Sequence, residues 1–377
     1  MNIPDFASQW PLYIFILFCT FCAIQLFYFL FFFLRLVFFK SESQQHQQTH
    51  PVSVVICARD EAENLANNLP GLLAQVYPTT HEIIVVNDNS FDESKYLLEE
   101  LKKSFKQLNV IELTQEAKMI PGKKFPLAIG IKSAKYEIVL LSDADCLPAT
   151  ENWINSMQSA FTKSTEIVLG YSPFQKQNGL LNKLIRFECF FTAMQYLSYA
   201  LAGIPYMGVG RNLSYKKSLF LKQKGFSAHN NIPGGDDDLF INAVANKKNT
   251  TININPESFT ITKPAQTWGK WIRQKNRHYT TSKYYKGIHK FLLGLFAISN
   301  FLFYPLMILS MLFYSWKLSL IVYFTRAIFQ MLIYSKNMIQ LKEKDLIPFI
   351  PLLDLWMFIY YLIFAPALIK KPLQTWK

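Results

Sequence analysis

Two acidic clusters hold the residues best suited to chemistry. Leu140-Leu141-Ser142-Asp143-Ala144-Asp145 closes a hydrophobic run with two carboxylates separated by one small residue. A strand end has no structural need for two acids. A hard cation such as Mg2+ or Mn2+ does need carboxylate oxygens, usually shared with phosphate oxygens. Asp-x-Asp also occurs in solvated turns, but after a buried strand of an α/β unit it points to Asp143 and Asp145 as metal ligands. The second cluster is Gly234-Gly235-Asp236-Asp237-Asp238-Leu239, preceded by Pro233 and followed by a helical stretch, Phe240 to Asn246. The glycines build a turn and set the acids at a helix start. One acid would suffice as a cap. Three exceed that need, and like charges raise one another's pKa. A carboxylate placed there can take the proton of an attacking hydroxyl.

Two basic segments accompany them. Gln274-Lys275-Asn276-Arg277-His278-Tyr279 follows Trp268 and Trp271. Gln274 and Arg277 are three apart and share a helix face. Arg there can bind phosphate oxygens bidentately, and the nearby rings can stack on a sugar. A lipid-headgroup patch is the competing reading, since a hydrophobic segment begins soon after. Lys123 and Lys124 follow Pro121-Gly122 and precede a helix, within reach of a phosphate or a base.

The elements that position these groups alternate in type. Strand signals occur at Val52 to Cys57, Glu82 to Val86, Val110 to Leu113 and Glu137 to Leu141. Helical spacing occupies Glu61 to Leu73, Glu93 to Lys106 and Phe125 to Ala134. That alternation predicts an α/β fold with a mostly parallel central sheet. Ligands of such sheets sit beyond the C-terminal strand ends, where the acidic motifs fall. Gly179 to Ala202 is aromatic-rich but broken by Lys183, Arg186 and Glu188, and is expected to lie along a membrane surface.

The chain ends are different. Of 377 residues, 51% are hydrophobic, and they concentrate at the start and in the last quarter. Trp10 to Phe39 is almost continuously apolar and long enough to span a bilayer, with a helix expected at Leu12 to Leu34. It runs too long for a signal-peptide core and no small-residue cleavage site follows. Arg35 and Lys40 follow it, while Asp5 is the only charged side chain before it. The positive-inside rule then places the central domain in the cytoplasm. Phe291 to Trp316, Leu318 to Tyr334 and Leu346 to Ile369 are three further hydrophobic segments. Arg326 in the second is expected to pair with Asp354 of the third or to lie in the interface. Four membrane segments result, two or three of them C-terminal. Strict alternation would put Lys370, Lys371 and Lys377 outside, a conflict that a re-entrant segment would resolve. The net charge of +13 suits an anionic membrane surface and anionic substrates, and no nucleic-acid motif is present. The five scattered cysteines lack metal-ligand spacing and fit a reducing compartment.

Taken as an ordered set, these motifs resemble family 2 glycosyltransferases over about residues 50 to 280. Val52-Ser53-Val54-Val55-Ile56-Cys57-Ala58-Arg59-Asp60-Glu61-Ala62-Glu63-Asn64-Leu65 looks like the family's opening, and Glu82 to Ser90 like its next strand and acidic turn. Gly122-Lys123, the Asp143/Asp145 pair, Gly235 to Leu239 and Gln274-x-x-Arg277-His278 are similar to its later motifs. The resemblance implies a GT-A fold, a nucleotide-sugar donor and a divalent metal. It implies that Glu61 and Asp88 contact base and ribose, that Lys123 and Asp143 lie near the nucleotide, and that Asp145 holds the metal. Asp236 would be the general base, with Asp237 a rival, and Asp238 would support it or touch the acceptor. Gln274 and Arg277 would grip the pyrophosphate. Asn87, Gly235 and His278 depart from the family's Asp, Glu and Trp, and the last departure bears on acceptor stacking and processive synthesis. Gly208-Val209-Gly210-Arg211-Asn212 resembles the acceptor-side Gly-x-Asn segment.

The reading is an inverting, metal-dependent hexosyltransferase of the bacterial inner membrane, active in cell-envelope glycan biosynthesis. It would use a nucleotide diphosphate sugar, a UDP-sugar first, and a lipid-linked or membrane-proximal glycan acceptor. Its domains are an N-terminal helix at 1–40, a tether at 41–50, a cytoplasmic catalytic domain at 51–285 with the surface helix near 179–202, and a membrane region at 286–377. The competing readings are a processive polysaccharide synthase of the same fold and a catalytically silent membrane scaffold.

Overall fold

The computed structural model describes residues 9–41, 49–114, 122–232 and 234–368. Asp5, Pro121, Pro233, Lys370, Lys371, Lys377 and most of the expected tether lie outside them.

The chain forms two compact units, residues 40–285 and the hydrophobic ends around them. It opens with α1 (Trp10–Phe27), a π-helical turn (Tyr28–Phe33) and α2 (Leu34–Phe38), one continuous helical run. The middle unit then runs β1 (Val52–Ala58), α3 (Ala62–Leu73), β2 (His81–Asp88), α4 (Ser94–Ser104), β3 (Leu108–Leu113), α5 (Lys124–Ser133) and β4 (Ile138–Asp143). There follow β5 (Cys146–Pro148), α6 (Trp153–Ser159), β6 (Ile167–Leu169), α7 (Leu180–Leu201), β7 (Leu213–Lys216) and α8 (Lys217–Lys222). The unit closes with α9 (Asp238–Val244), β8 (Thr250–Ile252), β9 (Thr260–Thr262) and α10 (Trp268–Tyr279). Then come α11 (Gly287–Ser310), α12 (Trp316–Gln340) and α13 (Ile350–Phe364).

Seven strands form one sheet in the order β3-β2-β1-β4-β7-β6-β8. β3, β2, β1 and β4 are parallel, and β7 is antiparallel to both β4 and β6. β1 and β2 are rich in β-branched residues and buried along their length, as a sheet covered on both faces requires. Leu65, Leu69, Leu72 and Leu73 make the buried stripe of α3. α5 lies so close to the sheet that a Cβ on Gly130 would meet Val55 at 2.6 Å and Val86 at 2.9 Å. The chain runs outward from β1 to β2 and β3, then returns to β4 on the other side of β1. That reversal leaves a crevice beyond the C-terminal ends of β1 and β4.

The four strands read from the sequence are present. Five more, β5 to β9, span only three or four residues each, too short to carry an alternation signal. The helix at 180–201 requires a correction. Fifteen of its 22 residues are buried, so it is a core helix and not one lying on a membrane surface. One of its charges is satisfied internally: Glu188 forms an ion pair with Lys275 of α10. Tyr196 donates to the Gly170 carbonyl at 2.6 Å.

In the other unit, three helical runs are long and apolar enough to cross a membrane: Trp10–Phe38, Gly287–Gln340 and Lys344–Phe364. The middle run is not straight. Ser315 has extended backbone (φ −158°, ψ 112°), and the hydroxyls of Ser310 and Ser319 meet at 2.7 Å across the bend. It therefore folds into two limbs, α11 and α12. Arg326 of α12 and Asp354 of α13 form a bidentate ion pair, one contact at 2.9 Å. Gln25 and Gln330 accept from the guanidinium at 2.7 and 2.8 Å. Gln330 and Tyr304 donate to the carboxylate at 2.7 and 2.6 Å. A charge on a spanning helix is tolerated when it is closed off in this way.

Candidate active site

The crevice brings together expected residues from several chain segments. β4 delivers Asp143 beside Cys57, its register partner at the end of β1. Gly122, at φ +79°, turns the chain into α5 so that the largely buried Lys123 forms an ion pair with Asp143. Burial works against the Asp143 charge, but Lys123, then Arg211 and Arg277, hold its carboxyl below the usual range. Asp145 behaves oppositely. Burial and the Asp143 charge push it up, Glu61 adds to this, and Arg211 offsets only part.

Oxygens of Asp143 and Asp145 and the sulfur of Cys146 all lie within 4.8 Å of one another. The Cys146 thiol donates to Asp145 at 3.5 Å, and burial with the two acids raises its pKa well above the ordinary value. A neutral thiol is a poor ligand for a hard cation. The two carboxylates fit one well. The charges of Arg211 and Arg277 act on Asp143, and that of Arg211 acts on Asp145.

The second acidic cluster lies across the crevice. Gly235 has φ +88°, and a Cβ there would meet the Leu239 side chain at 2.4 Å. The departure from the family's Glu is thus built into the turn. Asp237 caps α9, and its two oxygens accept from the backbone N–H groups of Gly210 and Asp238, each at 2.7 Å. Burial, and then the charges of Asp236 and Asp238, push Asp237 up to about 8. Asp238 is 7% exposed; Thr281 at 2.5 Å and Tyr285 at 2.8 Å donate to one oxygen and the Leu239 N–H at 2.7 Å to the other. It braces the turn. Asp236 is half-buried, and among the described residues its carboxylate has no hydrogen-bond partner. Its charge acts on Lys123, so it shares the crevice with the Asp143 pair.

The other expected residues divide. Asp88 ends β2 and is buried, and its charge acts on Cys57 at the crevice floor. The loops after β1 and β2 are pinned together. Phe91 N–H donates to Asp60 at 2.8 Å and Ala62 N–H to Asp92 at 2.8 Å, with Asp60 and Asn89 both at positive φ. Glu61 sits at the start of α3. α10 begins at its cap, Thr267, and buries only Trp271 and Lys275. Arg277 reaches the field of Asp143, whereas no hydrogen bond among the described residues ties Gln274 to the acids.

Sequence reasoning gave no individual role to four contributors. The charge of Arg211 acts on both Asp143 and Asp145, and its guanidinium lies over the Phe174 ring at 4.7 Å. Its place in Gly210-Arg211-Asn212 was the available signal. Asn212 is fully buried, bonded to Trp153 at 3.1 Å and to the Tyr171 and Ser258 carbonyls at 2.8 and 2.6 Å, so it locks the segment in place. Thr281 and Tyr285 carried no motif at all.

Comparison with known proteins gives the class. Residues 141–368 match the family model described as Glycosyl transferase family group 2, and residues 53–223 match Glycosyl transferase family 2. The chain belongs to glycosyl transferase family group 2. It is similar to a poly-beta-1,6-N-acetyl-D-glucosamine synthase of Staphylococcus epidermidis, 35% identical over 111 residues, covering 29% of this chain and 25% of that protein. It is also similar to the probable glycosyltransferase YdaM of Bacillus subtilis (strain 168), 25% identical over 267 residues, covering 66% of this chain and 59% of that one. The chain thus spans less than two thirds of the length of either relative. In structure it is similar to the mannosyltransferase PcManGT from Pyrobaculum calidifontis, solved with GDP-Man and Mn2+. The TM-score is 0.58 at 15% identity, over 93% of this chain and 99% of that one. At that identity the likeness establishes the GT-A fold alone.

Proposed function

We propose that this protein transfers one sugar, with inversion, from a nucleotide diphosphate sugar to a lipid or lipid-linked glycan acceptor at the membrane. One observation carries the reading. Asp143, Asp145, Lys123, Arg211 and Arg277 converge at the sheet's switch point, and Asp236 faces the same crevice.

Asp145 and Asp143 would hold a divalent cation, Mn2+ or Mg2+. Bound there, the cation would neutralise charge on the leaving diphosphate. Lys123, Arg277 and Arg211 would orient the diphosphate oxygens, with Gln274 beside Arg277 on the same helix. Glu61 and Asp88 would line the base and ribose side. Asp236, with no hydrogen-bond partner among the described residues, would take the acceptor proton as its oxygen attacks from the face opposite the leaving group. Asp237 would fix the Gly210 segment, and Asp238 would hold the turn.

A UDP-sugar is the first donor to test. GDP-Man follows, because the structural relative was solved with it. Arg35 and Lys40, after the first spanning helix, support a cytoplasmic catalytic domain in a bacterial inner membrane. The resemblance to a polysaccharide synthase supports a second reading, repeated addition to one chain.

The test is turnover by the full chain in nanodiscs with Mn2+ and a bacterial polar-lipid extract. UDP-glucose, UDP-N-acetylglucosamine and GDP-mannose form the donor panel. Nucleoside diphosphate release with one labelled sugar per lipid-phase product is the expected result. Label in a water-soluble polymer would establish the second reading. No release from any donor would contradict both.

A further inference from the structure

Lys123 and Lys124 are consecutive, yet their ammonium groups serve different halves of the crevice. Lys123 pairs with Asp143. Lys124 is 0% exposed and turns away, donating to the carbonyls of His229 at 2.6 Å and Ile232 at 2.8 Å. Among the described residues it has no carboxylate ion-pair partner.

A buried ammonium bonded only to neutral carbonyls is unfavourable unless the surroundings compensate. Burial pushes Lys124 down to about 8, and Asp236, Asp238 and Asp237 act in the opposite direction. The ionised members of this acidic cluster therefore favour the cation, and the cation holds the segment that leads to them. That segment needs holding. Between α8 and α9, the described residues form no strand or α-helix, only a 3-10 turn at Ser227–His229. Lys224, Gly225 and Gly235 are all at positive φ. The His229 and Ile232 carbonyls lie in and just after that turn, four residues or more before Asp236. A neutral side chain of similar length offers no comparable charged donor to two carbonyls at once.

We propose that Lys124 is a positioning residue, a strut that fixes the His229 and Ile232 carbonyls and thereby sets the Asp236 carboxylate against the acceptor. The proposal rests on the reading of Asp236 as general base. It ties the base to the same helix start that carries Lys123, so the two halves of the crevice share one anchor.

The experiment compares Lys124→Met, Lys124→Arg and Asp236→Asn in the full chain in nanodiscs, with the donor that turns over in the panel above. Lys124→Met is expected to lower kcat on the order of 10²-fold, the effect of misplacing a reacting group by about 1 Å. Its donor KM and its Mn2+-dependent UDP or GDP affinity should stay within about threefold, because the diphosphate groups are untouched. Lys124→Arg keeps a cationic donor and should retain kcat within about tenfold. A wild-type kcat in Lys124→Met overturns the proposal. So does a parallel loss of kcat and nucleotide affinity, which would mark a merely structural role. Should Lys124→Met fail to fold, Lys124→Arg decides: a folded but inactive protein overturns the strut, and an active one supports it. Separately, a wild-type rate in Asp236→Asn refutes the base assignment, whatever Lys124→Met does.

Discussion

The ammonium of Lys123 forms an ion pair with the Asp143 carboxylate at the C-terminal end of β4. In the proposed complex that ammonium turns to the diphosphate. Removing it leaves Asp143 with less compensating charge and the diphosphate with one donor fewer. Lys123→Met is expected to weaken nucleotide diphosphate binding about tenfold or more, the size of one charge-assisted hydrogen bond. Calorimetry with UDP or GDP and Mn2+ measures this, and unchanged affinity would refute a role for Lys123 at the diphosphate.

The three consecutive acids should separate cleanly. Asp236→Asn is expected to reduce kcat about 10²- to 10⁴-fold with nucleotide affinity intact, as loss of a general base does. Asp237 is raised to about 8, so it is largely protonated near neutral pH and asparagine imitates it. Asp237→Asn should keep kcat within about fivefold. Asp238→Asn leaves Thr281 and Tyr285 with a weaker acceptor, so a lower Tm is expected before any change in mechanism. Equal kcat losses in Asp236→Asn and Asp237→Asn would contradict these assignments.

The membrane-unit pair makes a prediction of non-additivity. Arg326→Met or Asp354→Met alone leaves a buried charge without its partner and should destabilise by about 3 to 5 kcal/mol. The double variant removes both charges and should recover most of that loss. Thermal denaturation in detergent tests it. Additive losses would mean that the two residues act independently.

Much of this architecture was legible beforehand, and the exceptions have physical reasons. Val52 to Cys57 and Glu82 to Val86 are rich in β-branched residues, so both strands, and the acidic turn after the second, could be read directly. Arg326 and Asp354 stood out because an ion in an apolar segment demands a partner. α7 misled because its charges looked solvated, whereas Glu188 is satisfied by Lys275 about ninety positions away. Such distant pairings leave no local pattern. Arg211 was visible as part of the Gly208 to Asn212 segment, but its action on Asp143 and Asp145 left no local pattern. The strain at Gly235 was invisible too, because it depends on where the Leu239 side chain lies.

Acid should destabilise the catalytic domain through His229. Burial first, then Lys124, pushes this histidine down to about 4, with a hydrogen bond to the Gly235 backbone offsetting part. An unfolded histidine titrates near about 6.5, so between those values the unfolded state binds more protons. Stability is therefore fully present above pH 6.5 and is lost as pH falls toward 4. A plot of Tm against pH should slope upward across this window and flatten in His229→Gln. An unchanged slope would show that the histidine is not buried neutral.

The central claim is that Asp145 holds the cation that carries the diphosphate. Calorimetric titration of UDP and GDP into wild type and Asp145→Ala, each with Mn2+ and with excess chelator, tests it most directly. Wild type should bind one nucleotide tightly with Mn2+ and at least about tenfold more weakly under chelator, while Asp145→Ala should show the weak value in both conditions. Metal-enhanced binding that survives intact in Asp145→Ala would contradict the account.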